Sequence, residues 1–100
     1  MNDAYVVYAE WGPARRIPRG ERLARRFAQV DAGTRMQWME MFEVVERSIW
    51  DLAEHHAKEA HADASIVEQL QTRHPWMQKK ALRQALFLVR YYAWHEGYDQ

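Results

Sequence analysis

Six arginines are concentrated in one short segment near the amino terminus, here called the arginine segment: Arg15, Arg16, Arg19, Arg22, Arg25 and Arg26. Glu21 is the one acid among them, so the segment carries a local charge of +5 in a chain whose net charge is zero. Guanidinium groups bind carboxylates and phosphates through paired hydrogen bonds, and nearby aromatic rings such as Trp11 and Phe27 can stack on bases. The arginine segment and Trp11 are therefore the first candidates for contact with an acidic protein surface or with nucleic acid.

Residues 35–72 have the opposite charge, with eight acids against three bases, and residues 73–100 return to +3. Such blocks give a neutral molecule a dipolar surface that can select partners. The acidic stretch around Glu40, Glu43 and Glu46 cannot serve as the recognition helix of a helix-turn-helix protein, because phosphates would repel it. Two interpretations of the arginine segment follow. It is either a contact surface or a solvated surface that forms salt bridges with the acidic helix.

A second group of reactive side chains occurs where Asp51, His55 and Glu59 are spaced four residues apart, with His56 and His61 close by. On a helix the four-residue spacing places the first three on one face, where they could hold a cation. The spacing matches neither the His-Glu-x-x-His pattern nor the Glu-x-x-His pairs of di-iron bundles. Histidines near a helix C-terminus instead interact favourably with the helix dipole when protonated. We predict no metal site and no cofactor.

Residues for nucleophilic catalysis are scarce. The two serines, Ser48 and Ser65, fit a helix surface and a helix cap, and the chain has neither a cysteine nor a glycine-rich phosphate-binding loop. We therefore predict that the protein is not an enzyme and has no catalytic residues. The lack of cysteine, of a signal peptide and of an apolar run of roughly 20 residues leads us to expect a cytoplasmic protein that does not cross a membrane.

One hundred residues, 48% of them apolar and 28% charged, are typical of one globular domain. We expect residues 1–20 to form an arm and a basic loop, and residues 21–100 to form a small bundle, so that the mainly α fold has three to five helices in all. The arm is ambiguous. Tyr5–Tyr8 has the composition of a strand, which could add to the sheet of another protein, whereas an Asn2 or Asp3 cap and a Gly12 stop would equally frame a short helix.

Helical periodicity and capping residues predict four helices after the loop. They run from Glu21 to Asp31, from a capping box at Thr34–Gln37 to about His61, from Ser65 to about His74, and from Pro75 to near Gly97.

The apolar spacing also assigns a face to each of these helices. The core stripe of the long helix consists of Trp38, Phe42, Val45, Ile49, Leu52 and His56, and that of the last helix of Leu82, Ala85, Leu86, Val89 and Ala93. Arg22, Arg25 and Arg26 lie off the stripe of their helix and are expected to face outward. The outer arc or first turn of the last helix carries Trp76, Lys79, Lys80, Arg83 and Arg90. These bases could act with the arginine segment if folding brings the two together.

Five tryptophans and eight other aromatic residues exceed what one small core needs. Because Trp, Tyr and Arg are the residue types that anchor protein interfaces, Trp11 and Trp76 join the six arginines as candidate binding residues. In size, arginine content and lack of a catalytic motif, the chain resembles small phage and mobile-element inhibitors of the anti-CRISPR type, a class without a shared sequence motif. The resemblance implies stoichiometric binding to a CRISPR effector complex that obstructs DNA binding or cleavage.

We therefore predict a non-catalytic protein-binding module that inhibits or regulates a larger protein or ribonucleoprotein complex. Direct binding of DNA or RNA through the arginine segment is the alternative, and self-association into a homo-oligomer stays open. The two hypotheses differ in salt dependence, because contacts with phosphates weaken steeply as the salt concentration rises.

Overall fold

Five helices make up most of the part of the chain that the computed structural model describes, which comprises residues 1–9, 17–58 and 63–95 without the side chains of residues 56–58 and 95. In chain order they are α1 (Asn2–Tyr8), α2 (Arg19–Arg26), α3 (Ala32–Lys58), α4 (Asp63–Arg73) and α5 (Lys79–His95). The prediction of a mainly α bundle is confirmed, and the arm is a short helix. The principal helix pair is α3 and α5, and the other three helices pack around it.

The core follows the apolar stripes that the sequence predicts. Phe42, Val45, Ile49 and Leu52 of α3 are buried, as are Leu82, Ala85, Val89 and Ala93 of α5. The ring of Phe42 lies 5.5 Å from that of Tyr5, 5.2 Å from that of Tyr8 and 5.7 Å from that of Trp76. Phe42 therefore joins α1, α3 and the turn before α5 in one aromatic cluster.

Helix α1 is anchored at both ends by side-chain bonds to residues far along the chain. At its start, Asn2 Nδ2 donates to Trp76 O at 3.1 Å, and Gln78 N donates to Asn2 Oδ1 at 2.6 Å. At its end, Arg22 donates to Tyr8 O and Gln84 to Ala9 O, which satisfies carbonyls that the helix itself leaves unpaired. A helix of seven residues is unstable alone, so these contacts decide that the arm is helical.

The long helix begins earlier than the capping box at Thr34 predicts. Asp31 is the cap. Its Oδ1 accepts a hydrogen bond from Thr34 N at 3.0 Å, and its Oδ2 accepts one from the Thr34 hydroxyl at 2.6 Å. These bonds favour the carboxylate and lower the pKa of Asp31. The preceding helix correspondingly ends at Arg26 and not at Asp31.

The last helix begins at Lys79, four residues after the predicted start at Pro75. Residues 74–78 form a turn instead, in which Met77 N donates to His74 O at 3.0 Å and the Met77 side chain is fully buried. The Asn2 side chain holds two backbone groups of this turn, as described above. Helix α4 ends at Arg73, as the following proline predicts.

His74 is a buried titratable side chain that links this turn to the long helix. It is 6% exposed, and its Nε2 lies 2.9 Å from the hydroxyl oxygen of Ser48. Burial lowers the pKa of His74 from its ordinary value near 6.5, and the charge of Arg73 acts in the same direction. The folded protein therefore favours the neutral imidazole.

We expect the protein to lose stability as the pH falls below about 6.5, because the unfolded chain then binds a proton at His74 that the folded protein rejects. The loss continues until the pH reaches the lower pKa of the folded state. Urea unfolding at pH 7.5 and pH 5.5 measures it, with His74→Gln as the control that does not titrate. An equal pH dependence in both proteins would show that another group is responsible.

Candidate binding groove

Arg22 is a structural residue, which corrects the expectation that it faces outward. It is 7% exposed, its Nε donates to Ile17 O at 2.8 Å, and its Nη1 donates to Tyr8 O at 3.1 Å. The physical reason is that α1 packs on α2 and presents its C-terminal carbonyls there, where a cation is also favoured by the helix dipole. Arg22 is therefore inside the fold and not at a binding surface.

Arg19 is engaged with the acidic helix. Its guanidinium forms a two-pronged ion pair with Glu46 of α3, at 2.5 and 2.8 Å, and also donates to the Tyr8 hydroxyl at 3.1 Å. The hydrogen bonding of Arg19 to the Glu46 carboxylate, which accepts, is the main cause that raises the pKa of Arg19 above its ordinary value. Arg19 therefore fits the second interpretation of the arginine segment, in which its arginines form salt bridges with the acidic helix, because Glu46 of the same chain already accepts its hydrogen bonds.

The remaining members of the candidate set are placed differently. Arg15, Arg16 and Trp11 lie outside the described residues. Arg25 is exposed and pairs with Glu21 one turn earlier on α2, at 2.6 Å. Arg26 is exposed at the end of α2 and lines a groove.

Trp76 is partly buried and packs against the core, with its ring 6.1 Å from that of Tyr5.

The groove that Arg26 lines is open to solvent and has a volume of about 570 Å³. Helix α1 packs against both α2 and α5, which barely touch each other, so that Val6 and Val7 of α1 form the floor. Phe27, just after α2, belongs to one wall. Gln84 and Phe87 of α5 belong to the other, and Phe87 is 47% exposed although it is a large apolar side chain.

Cationic side chains stand on both sides of the apolar floor. Arg26 lies on the α2 side and Lys80 on the α5 side, and Lys79 and Arg83 are exposed on the same helix as Lys80. Lys80 Nζ is 2.8 Å from Asp3 Oδ1, and this hydrogen bond lowers the pKa of Asp3. Folding thus brings part of the arginine segment and a base of α5 into one groove.

Sequence reasoning missed three apolar members of this site, which are Val6, Val7 and Phe87. Val6 and Val7 belong to the ambiguous arm, whereas Phe27 is already identified from the sequence as a ring near the arginine segment. Phe87 is adjacent to Leu86, which the sequence predicts to face inward. Phe87 lies one helical turn after Gln84 and two turns after Lys80, and this spacing is the signal that could have placed it on the outer face of the helix.

The other tryptophans divide between core and surface. The ring of Trp50 stacks on that of Tyr92 at 4.1 Å, and that of Trp38 meets the ring of Phe27 edge-on at 5.5 Å. Trp94 is 67% exposed near the end of α5. Of the aromatic surplus that the sequence suggests, Trp50 and Trp38 serve packing.

The acid and histidine group is described only in part, since Glu59, His61 and the side chain of His56 lie outside the described residues. Asp51 pairs with Arg73 of α4 at 3.0 Å and lies 3.5 Å from His55. Within the described ranges no three His, Cys, Asp or Glu side chains are grouped so that they could hold a metal ion.

None of the helices in the described ranges has the length and hydropathy needed to cross a membrane.

Comparison with known proteins does not identify the chain. No protein-family model, no curated protein and no solved structure matches the chain. A functional conclusion therefore depends on the geometry and chemistry of the groove.

Proposed function

We propose that the chain is a non-catalytic protein-binding module that inhibits or regulates a larger assembly, such as a nucleic-acid-handling complex, by stoichiometric binding. The groove over α1 is the observation that supports this function. It combines an apolar floor, an exposed phenylalanine and flanking cations, which is the composition expected of an interface with an apolar centre and a polar rim.

The distribution of the arginines favours a protein partner over nucleic acid. Arg19 and Arg22 are occupied by bonds within the chain, so fewer guanidiniums are free for phosphates than the sequence suggests. The groove itself separates Arg26 from Lys80 by an apolar floor. A nucleic-acid backbone favours an unbroken row of cations, which this floor interrupts.

An anti-CRISPR type of inhibition is the specific form of this function that we propose. In that case the groove would hold a segment of a CRISPR effector complex and the bound protein would block DNA binding or cleavage. A cleavage assay with purified effector complexes tests it directly. Cleavage that continues unchanged at a large molar excess of the protein, across the effector types assayed, would remove this form and leave the more general function.

Phe87→Glu is expected to abolish the capture of a stoichiometric partner, because a charge placed in the apolar part of the groove opposes burial there. The measurement is affinity capture with the purified protein as bait, followed by quantitation of a co-purifying protein. Val44→Glu on α3 is the matched control, because Val44 is also 47% exposed and does not line the groove. The proposal predicts at least a roughly tenfold loss for the first variant and full capture for the second.

The contrary results are distinct. Capture that survives Phe87→Glu would show that the groove is not the binding site. A gel-shift titration covers the alternative function. Micromolar binding of DNA or RNA that weakens steeply with salt, without a co-purifying protein, would make nucleic acid the primary ligand.

A further inference from the structure

Two further depressions adjoin the groove. One, of about 430 Å³, shares Asp3 and Lys80 with it and reaches Lys79. The other, of about 290 Å³, shares Arg26 and Phe27 with it and reaches beyond α2. The groove and these two depressions are together called the extended groove. Their combined extent offers more surface than a compact small molecule would cover.

The charges of the extended groove lie on both of its sides. Arg25 and Arg26 line it on the α2 side, and Lys79 and Lys80 line it on the α5 side. Asp3 is the one acid among the described side chains that line it, so four bases face one acid. The complementary ligand is a segment with several carboxylates.

The acids that pair with Lys80 and Arg25 are easily displaced. The pair of Lys80 with Asp3 and the pair of Arg25 with Glu21 are both exposed to solvent, and exposed pairs contribute little to stability. A partner that brings its own carboxylates therefore loses little free energy in replacing them. Lys80 and Arg25 are thus available for an intermolecular contact although each has a partner within the chain.

The middle of the extended groove is apolar and offers contacts at helical spacing. Lys80, Gln84 and Phe87 follow each other along α5 at intervals of four and three residues, over a rise of about 10 Å. Two turns of another helix could lie along this distance with apolar residues against Val6 and Phe87. Within the described ranges there is no strand, so a sheet edge to which a partner could add is not offered there.

We propose that the extended groove binds an acidic amphipathic helix of a partner protein. This inference rests on the proposed function and names the chemistry of the partner's segment. The apolar face of the incoming helix lies on Phe87 and the floor, and its carboxylates meet Arg26 on one side and Lys80 on the other. This is the helix-in-groove mode, in which apolar residues at positions i, i+3 or i+4, and i+7 anchor the complex.

The test uses three fluorescein-labelled peptides of eighteen residues, so that no knowledge of the natural partner is needed. The first carries leucines at i, i+4 and i+7 with glutamates on the other faces. The second has lysine in place of every glutamate. The third contains the residues of the first in an order that has no apolar face. Fluorescence anisotropy of each peptide, titrated with the full chain, gives the Kd.

We expect the acidic amphipathic peptide to bind with a Kd on the order of 10 μM and both other peptides to bind at least about tenfold more weakly. Phe87→Glu and the double variant Arg26→Glu/Lys80→Glu should each weaken the first peptide at least about tenfold, and the double variant should gain affinity for the lysine peptide. Val44→Glu should leave all three unchanged. Circular dichroism measures whether each variant is folded. If a variant does not fold, the affinities of the three peptides for the unaltered protein still test the inference.

Equal binding of the acidic and lysine peptides, or of the ordered and scrambled ones, would overturn the inference. Stronger binding of a fluorescein-labelled single-stranded DNA of similar length would overturn it in favour of nucleic acid. A concentration-dependent dimer in light scattering that Phe87→Glu abolishes would make a second copy the occupant. The proposed function fails by a different result, which is salt-sensitive binding of DNA or RNA without a co-purifying protein in the capture experiment.

Discussion

Replacing Arg22 by alanine is expected to lower the free energy of unfolding by about 2–4 kcal/mol, because the carbonyls of Ile17 and Tyr8 lose their charged donor and the buried stem of the side chain loses its contacts. The Tyr8 carbonyl belongs to the last turn of α1, so the loss also removes a cap of that helix. Urea unfolding followed by circular dichroism at pH 7.5 measures the change.

Arg25→Ala is the matched control in the same helix. Arg25 is exposed and makes an ion pair with Glu21, so its removal is expected to cost less than about 0.5 kcal/mol. Similar costs for the two variants would show that Arg22 is not buried as described. A stable Arg22→Ala protein with reduced partner capture would return Arg22 to the binding surface that the sequence suggests.

Phe42→Ala is expected to lower the free energy of unfolding by about 3–5 kcal/mol, which is a large part of the stability of an ordinary small domain. The ring is fully buried and packs against the rings of Tyr5, Tyr8 and Trp76, so truncation leaves a cavity where three parts of the chain meet. Thermal and urea unfolding provide the measurement. Phe87→Ala is the control, because the same truncation at a half-exposed site should cost less than about 1 kcal/mol.

A small cost at Phe42 would mean that the aromatic cluster does not join α1 to the rest of the fold. The control has a second use. A folded Phe87→Ala protein that no longer captures its partner separates the role of Phe87 in binding from any role in stability.

The helices after the loop could be predicted from the sequence because local rules determine them. Apolar residues at intervals of three and four place Phe42, Val45 and Ile49 on one face of α3, and the proline after His74 ends α4. The boundaries were less accurate where two capping residues compete. Asp31 and Thr34 are both good caps, and only the observed hydrogen bonds show that Asp31 accepts from Thr34.

The arm and the role of Arg22 could not be predicted, because both depend on contacts between distant residues. The bonds of Asn2 join positions 74 and 76 residues apart, and that of Arg22 to Tyr8 joins two helices across the loop. The pattern along one helix shows which residues lie off its apolar stripe, but a second helix can still bury them. Arg22 lies off the stripe of α2 and is buried by α1.

The cations of the candidate site could be predicted from the sequence, together with Phe27 beside the arginine segment. Arg26, Lys79, Lys80 and Arg83 are charged at positions off the apolar stripes, and their exposure follows from that pattern. The apolar floor depends on how α1 lies between α2 and α5, which no local rule gives. The sequence therefore predicts the positive charge near the groove but not the shape of its surface.

The long-range anchoring of α1 couples the folding of the groove to the binding of a ligand. Because the bonds of Asn2 and Gln84 close loops of more than 70 residues, the contacts between α1 and α5 form only when both ends of the chain are folded. The complete groove depends on these contacts, and a ligand that binds the groove would draw the folding equilibrium toward completion. At a hundredfold excess over Kd this linkage adds about 2.7 kcal/mol to the stability of the domain.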